Sequence, residues 1–257
     1  MEMTEIKGDI PCPAPIKKYF QGRIFDSSCS REARVYYSEG QGLFIKTAPA
    51  ETLLKECVLT DYMHKKGFAP EVVDYVTDGG RDWAVTRQLA GFDLTKEKYL
   101  SRPEWLAERL GEVLSMLHSL SYSDCPIQNR LEGYIECARD GYAKRRFDPS
   151  YSRIPLTSMD GAYRLVEENA RYLERNALIH GDPCLPNILF VGDVLSGFID
   201  LGGCGVADRH IDLFWAEWTL EFNLGTGAYR DRLFDAYGRS NINEDVIDII
   251  SVFECFG

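Results

Sequence analysis

The densest concentration of reactive side chains lies between residues 180 and 200. His180-Gly-Asp-Pro-Cys-Leu-Pro-Asn187 is followed by Phe198-Ile-Asp200, with the turn signal Gly192-Asp193 between them. Moving a phosphoryl group onto a hydroxyl needs a carboxylate beside the attacking oxygen and oxygen ligands for Mg2+. Asp182, five residues before Asn187, has the spacing of a base followed by a metal-holding amide, and Asp200 lies 13 residues beyond Asn187, after a short hairpin. Asp182 is the candidate base, and Asn187 and Asp200 are the candidate Mg2+ ligands. Aspartates stay ionised at neutral pH, and a bound cation favours that form further. His180 reads as a structural hydrogen-bonding residue. A polar loop rich in helix caps would share some of these residue types, but not their joint order and spacing around a hairpin.

A second signal lies upstream. Lys46 ends an apolar strand and Glu56 falls ten residues later inside a helix. A lysine that pairs with phosphate oxygens needs a carboxylate to orient it. Alone, the two residues read equally well as an exposed strand end and a helix-face glutamate; placed before the 180–200 loop, the pair reads as phosphate-binding. Asp26-Ser-Ser-Cys-Ser30 lies between two strands, so Ser27 and Ser28 are candidates for covering a phosphate, although no Gly-x-Gly-x-x-Gly is present. There is no Gly-x-x-x-x-Gly-Lys-Ser/Thr, which excludes a Walker-type loop.

These residues need a scaffold, and the chain supplies an α+β one. Strand-like pieces at 23–25, 35–37, 43–47, 72–76 and 83–86 surround a helical stretch at 51–66 in which Leu54, Cys57, Val58 and Asp61/Tyr62 fall at helical spacings. From Gly91 the pattern turns helical. Leu106, Leu110, Val113, Leu114, Leu117 and Leu120 share a face, with Ser101 and Glu104 spaced as a capping box around Pro103. Residues 130–147, 160–176, 211–223, 229–238 and 243–255 read as further helices, and 188–191 with 197–201 as a hairpin. The expectation is a small antiparallel-sheet lobe over 1–90 and a larger, mainly helical lobe over 91–257, an arrangement in which ligand clefts commonly form between lobes.

Composition narrows the function. The 257 residues are 45% hydrophobic, enough for a sizeable core. The net charge of −11 argues against a nucleic-acid partner. Residues 1–90 hold 12 basic and 13 acidic side chains, whereas 91–257 hold 17 and 27, so a cationic ligand would be drawn to the second part; an acidic surface that serves solubility reads the same. Eight scattered cysteines without a Cys-x-x-Cys pair read as reduced, mostly core residues. No signal peptide or run of about 20 apolar residues occurs, giving an expectation of a cytoplasmic chain with no membrane partner.

With these residues in place, the chain resembles the aminoglycoside phosphotransferases, and among them the 3′-phosphotransferase (kanamycin kinase) branch. The resemblance runs over nearly the whole chain. It is most specific at Ser123-Asp-Cys-Pro-Ile-Gln-Asn129, at His180-Gly-Asp182 to Asn187, at Leu195 to Gly202 and at Gly205-Val-Ala-Asp208. It implies a protein-kinase-like two-lobe fold with ATP or GTP between the lobes, Mg2+, and transfer of the γ-phosphate to an aminoglycoside hydroxyl by a monomer or weak dimer, which confers resistance. It implies that Phe44 stacks on the adenine, with Ile199 opposite, although both serve equally as core. It implies that backbone at Arg87 and Leu89 meets the adenine edge, and that Asn129, Glu221, Glu254 and the terminal Gly257 face the cationic acceptor. The chain departs from the family at Gly203, where a basic residue is usual, at Phe222 and Asn223, where acidic ones are, and by running one residue past Phe256. These departures keep two rival readings open: the same chemistry on another amino sugar or metabolite alcohol, and a nucleotide-binding module without catalysis.

Overall fold

The computed structural model describes residues 3–28 and 33–257. In chain order the strands are β1 Thr4–Glu5, β2 Ile24–Asp26, β3 Arg34–Ser38, β4 Leu43–Pro49, β5 Val72–Asp78, β6 Arg81–Arg87, β7 Phe92–Asp93, β8 Ala177–Ile179, β9 Ile188–Val191, β10 Val194–Phe198 and β11 Gly205–Ala207. The helices are α1 Ala14–Lys17, α2 Leu54–Lys65, α3 Glu97–Leu100, α4 Pro103–Ser119, α5 Arg130–Ala143, α6 Met159–Asn169, α7 His210–Leu224, α8 Arg230–Tyr237 and α9 Glu244–Glu254. The chain divides into two compact units. Unit 1 is Met1–Asp93 with Pro186–Gly202; unit 2 is Leu94–Leu185 with Gly203–Gly257. The division read from sequence left 186–202 with the second part. In the structure β9 pairs with both β7 and β10, and Phe198 N–H donates to Phe68 O at 2.8 Å, which ties this hairpin to unit 1.

Unit 1 is built on an antiparallel sheet of order β1-β2-β3-β4-β6-β5. Successive side chains of a strand point to opposite faces. On β4, Leu43 and Ile45 therefore join Ile16, Trp83 and Val85 in one cluster, while Ala48 joins Leu53, Cys57 and Ala84 in another. Residues 3–22 contribute β1 and α1, and Ile16 is fully buried. The helix expected at 51–66 starts at Leu54, and the residues noted at helical spacings divide between its buried and exposed sides. Cys57, Leu59, Tyr62 and Met63 are buried, whereas Leu54 and Val58 are 53% and 40% exposed.

Unit 2 packs α4 against α8, α7 against α9, and α6 against α9. The apolar face expected on α4 is the buried one, from Leu106 to Leu117. The capping box is not made: Ser101 ends α3, Arg102 precedes α4 without a side-chain cap, and Pro103 alone marks the first turn. The helix expected at 160–176 ends at Asn169, and β8, which follows, pairs with β11. At Gly141 on α5 a Cβ would collide with the Phe256 carbonyl, so glycine is required for the C-terminal turn to lie on that helix. Phe256 is gripped by the rings of Tyr142, Phe147 and Tyr163. None of the seven described cysteines forms a disulfide.

One buried carboxylate sets where α2 begins. Asp82 on β6 is fully buried and accepts from Leu53 N–H at 2.9 Å and from Thr77 Oγ1 at 2.8 Å. Burial would raise its carboxyl, but these hydrogen bonds outweigh it and hold the group below the usual range. Asp82→Ala leaves a buried N–H without its acceptor, which costs about 2 kcal/mol. The urea midpoint should fall by the corresponding amount with an unchanged slope.

Candidate active site

The site residues of unit 1 meet at the face of the sheet that carries α2. Phe44 and Lys46 share that side of β4 with Ala48. Lys46 Nζ donates to both Glu56 oxygens, at 2.9 and 2.8 Å, and to Asp200 Oδ1 at 2.9 Å. Glu56 sits in the first turn of α2, the turn positioned by Asp82. Burial favours the neutral amine of Lys46, but the two carboxylates outweigh it and hold the ammonium above its ordinary value. Burial pushes Glu56 up, and Asp200 adds to this against the pull of Lys46. Two carboxylates face one ammonium, which leaves one negative charge uncompensated. Asp200 is the more open of the pair, with 49% of its side chain exposed against 18% for Glu56.

Asp200 has φ 59°, a left-handed backbone that few residues other than glycine adopt, and one that costs about 1 kcal/mol. β10 ends at Phe198, earlier than the strand expected to run to residue 201. Ile199 then donates its N–H to Asn187 O at 3.0 Å, so the residue before Asp200 is tied to the backbone of the other candidate metal ligand. An oxygen donor set of one carboxylate and one carboxamide, with a surplus negative charge, fits a hard divalent cation that draws its other ligands from phosphate and water.

The remaining unit 1 candidates are placed as follows. Phe44 is half-buried, its ring 4.9 Å from that of Tyr37. Arg87 is exposed and pairs with Glu71; its N–H donates to Glu71 O, and Gln88 N–H to Gly42 O, so these two backbone donors are already engaged. Leu89 follows, half-buried. Ser27 N–H donates to Val35 O, Ser28 N–H to Asp26 Oδ1, and Ser28 Oγ accepts from Val35 N–H, so both serines turn inward on their own hairpin. Cys29 and Ser30 lie outside the described residues.

Unit 2 holds Asp182 in the wall of a cavity of about 430 Å3. Glu254 and Gly257 line the same cavity, together with Arg130, Tyr134 and Trp215. Asn129 and Glu221 do not; Asn129 is exposed at the start of α5, and Glu221 lies on a separate hollow. Glu254 Oε1 accepts from Tyr134 Oη at 2.8 Å and Trp215 Nε1 at 3.1 Å. Burial nevertheless outweighs these bonds and raises its carboxyl to about 7. Cys184, also in the wall, has its thiol pushed up by burial and by Asp182, so it is no thiolate nucleophile at neutral pH.

The loop bearing Asp182 is held from behind. Asp212, fully buried on α7, accepts from His180 N–H and Gly181 N–H, both at 2.7 Å, and contacts His118 Nε2 at 3.1 Å. His180 is itself fully buried, and its Nδ1 accepts from Asp182 N–H at 3.3 Å, which is the structural role expected of it. Gly181 has φ 86° and packs on Gly203 so closely that a Cβ would strike the Gly203 carbonyl. That carbonyl also accepts from Arg130 Nε at 2.6 Å. The sequence reading missed Asp82, Arg130, Tyr134, Trp215 and Asp212. Only Asp212 left a trace, as a lone charge in the apolar run Ile211–Trp215.

A family model described as a phosphotransferase enzyme family matches residues 30–248, and the chain belongs to that family. A probable aminoglycoside 3′-phosphotransferase of Lactococcus lactis subsp. lactis is 37% identical, covering 91% of this chain and 90% of its own. An aminoglycoside 3′-phosphotransferase of Niallia circulans is 30% identical over 81% of each. The fold is protein-kinase-like, as in the crystal structure of an aminoglycoside 3′-phosphotransferase of type VIII, which has a TM-score of 0.71 at 24% identity and covers 90% of this chain and 91% of that one. The chain is thus an enzyme that transfers phosphate to a hydroxyl acceptor.

The Glu254 environment makes a test independent of turnover. Its folded carboxyl titrates near 7, against an ordinary value of 4.5, so between those values the folded chain holds a proton that the unfolded chain has lost. Stability therefore falls as pH rises through this window. Comparing urea midpoints at pH 5 and pH 7.5, Glu254→Gln should lose less stability than the wild type.

Proposed function

We propose that this chain is an aminoglycoside 3′-phosphotransferase, moving the γ-phosphate of ATP to a hydroxyl of an aminoglycoside antibiotic and so conferring resistance. The observation that carries the reading is the cavity that joins Asp182 to Glu254 and Gly257, a carboxylate base beside a second carboxyl suited to an ammonium group. Residues 1–90 bind the nucleotide, and 91–257 carry the base and the acceptor.

Lys46, oriented by Glu56, neutralises charge on the transferred phosphates. Asn187 and Asp200 would hold Mg2+, which supplies charge neutralisation at the β- and γ-phosphates. Asp182 orients the sugar hydroxyl and takes its proton as the new oxygen–phosphorus bond forms and the bond to the departing ADP breaks. His180 and Asp212 keep that carboxylate in place. Phe44 and Ile199 flank the adenine, and backbone at Arg87 and Leu89 borders it. Glu254 and Gly257 meet the acceptor in the cavity, with Asn129 and Glu221 farther along its path. Little covalent work falls to the protein, because positioning and charge stabilisation dominate such transfers. No helix among the described residues is long and apolar enough to cross a membrane. The reading places the enzyme in the cytoplasm as a monomer or weak dimer with no nucleic-acid partner.

A second reading, the same chemistry on another amino sugar, is motivated by the acceptor side. Phe222 is 71% exposed, and Asn223 folds its amide back onto Thr219 O at 2.7 Å, so neither supplies the charge usual at these positions.

A coupled assay with MgATP should show turnover of kanamycin and none of tobramycin, which lacks the 3′-hydroxyl. Turnover of neither, with nucleotide still bound, would favour the second reading. Asp182→Ala should lower turnover about a thousandfold while nucleotide affinity stays close to wild type. Turnover within about tenfold of wild type would remove Asp182 from its role.

A further inference from the structure

The cavity of Asp182 contains one group at odds with a cationic acceptor. Arg130, the first residue of α5, is the only basic residue in its wall among the described residues. Its side chain is fixed at two points. Its Cβ lies against Gly205 of β11, where φ is 144° and an added Cβ would come within 2.8 Å of it. Its Nε donates to Gly203 O at 2.6 Å, and that carbonyl packs on Gly181, the residue before Asp182. Two close-packed glycines thus set a guanidinium beside the loop that carries the base.

A guanidinium has five N–H groups, and Arg130 spends one of them on Gly203. Among the described residues the other four have no acceptor, and no carboxylate forms an ion pair with Arg130. Its charge is nevertheless felt across the cavity. Burial dominates at the Glu254 carboxyl and raises it; behind the bonds from Tyr134 and Trp215, Arg130 draws it down and Asp182 adds to the rise. A half-buried cation without a matching anion is costly, and an ammonium-bearing acceptor would only be repelled by it. The reaction itself brings an anion to this cavity, because the transferred phosphoryl group ends on the oxygen beside Asp182. The planar fork of a guanidinium matches phosphate oxygens through paired N–H···O bonds.

We propose that Arg130 is a further catalytic residue, whose free N–H groups receive the non-bridging oxygens of the phosphoryl group as it reaches the acceptor hydroxyl. The inference rests on the reading of Asp182 as the base given under Proposed function. In that step the acceptor oxygen bonds to phosphorus and its proton passes to Asp182. The bond from phosphorus to the β–γ bridging oxygen breaks, and its electron pair leaves with ADP. The transferred group keeps its negative charge, and the guanidinium offsets repulsion between that charge and the carboxyl groups of the wall. Arg130 therefore acts oppositely on the two forms of the acceptor: it opposes the bare polycation and holds the phosphorylated one.

The test titrates kanamycin, and kanamycin phosphate made by the wild-type enzyme, into wild type, Arg130→Gln and Arg130→Lys by calorimetry, and reads the transfer rate in single turnovers with MgATP. Arg130→Gln should weaken the phosphorylated product about tenfold, the size of one lost charge-assisted hydrogen bond, while kanamycin binds as tightly as to wild type or more so. Its single-turnover rate should fall about a hundredfold. Arg130→Lys, which keeps a cation in place, should hold product affinity within about threefold of wild type. A side chain that merely tethers α5 to Gly203 would on removal weaken both ligands together. That result, an unchanged product affinity in Arg130→Gln, or a transfer rate within about threefold of wild type would overturn the proposal. A wild-type enzyme that forms no kanamycin phosphate would overturn the parent reading, and the role of Arg130 with it.

Discussion

A buried carboxylate must find hydrogen-bond donors or shift its charge, and Asp212 meets that demand in a way that organises unit 2. Its oxygens take the backbone N–H groups of His180 and Gly181, and His118 closes the arrangement from α4. The loop before Asp182 is thus held by main-chain bonds to a helix in the core, independent of loop side chains. His180 then fixes the next peptide through its ring, and Gly181 permits the close approach to Gly203. A side chain that follows a loop held in this manner loses little freedom on binding, which is how a site contributes to rate through pre-organisation.

Unit 1 solves a related problem with opposite charges. An ammonium placed among half-buried groups would lose its proton unless carboxylates accompany it. Glu56 and Asp200 provide that company, and they do so from different parts of the chain, so Lys46 also ties α2 to the segment after β10. Asp82 lies one step behind, fixing the start of α2 and hence where Glu56 points. The surplus negative charge that results suits a cation and its phosphate ligands together better than either alone. A phosphate would be repelled by the two carboxylates unless a cation intervened.

What could be read from the sequence follows the range of the forces involved. Strand and helix periodicity are local, and the sheet, α4 and the 188–198 hairpin were legible from it. The spacing of Asp182, Asn187 and Asp200 was legible because a loop and a hairpin hold them close in sequence. Lys46 and Glu56 were legible as a pair only because ten residues separate them. The donors that orient these groups come from far along the chain: Asp212 reaches back 32 residues to His180, and Tyr134 forward 120 to Glu254. No periodicity or motif announces such partners. Spacing alone likewise does not say which side of α2 is covered: Cys57 and Tyr62 are buried, while Leu54 and Val58, at the same helical spacings, are exposed. The apparent capping box at Ser101 failed because α3 already uses that serine as its end.

The acceptor side shows why phosphate chemistry and acceptor choice vary independently. A displacement of a fraction of an ångström at Lys46 is costly, because it belongs to a closed set of short bonds, and the loop before Asp182 is fixed by Asp212. Glu254 is different. It is held by two donors on one oxygen and has a carboxyl raised to about 7, so its charge is finely balanced between burial, Tyr134, Trp215 and Arg130. A cationic group entering the cavity would favour the ionised form, drawing part of its own binding energy from that balance. Along α7 the contacts are looser still: Asn223 satisfies itself on its own helix, and Phe222 lies open on Trp218. Substitution at such positions alters what is held without touching the groups that react. Phe222 and Asn223, where the resemblance leads one to expect acidic side chains, lie among these looser contacts, whereas Gly203 packs against the loop before Asp182.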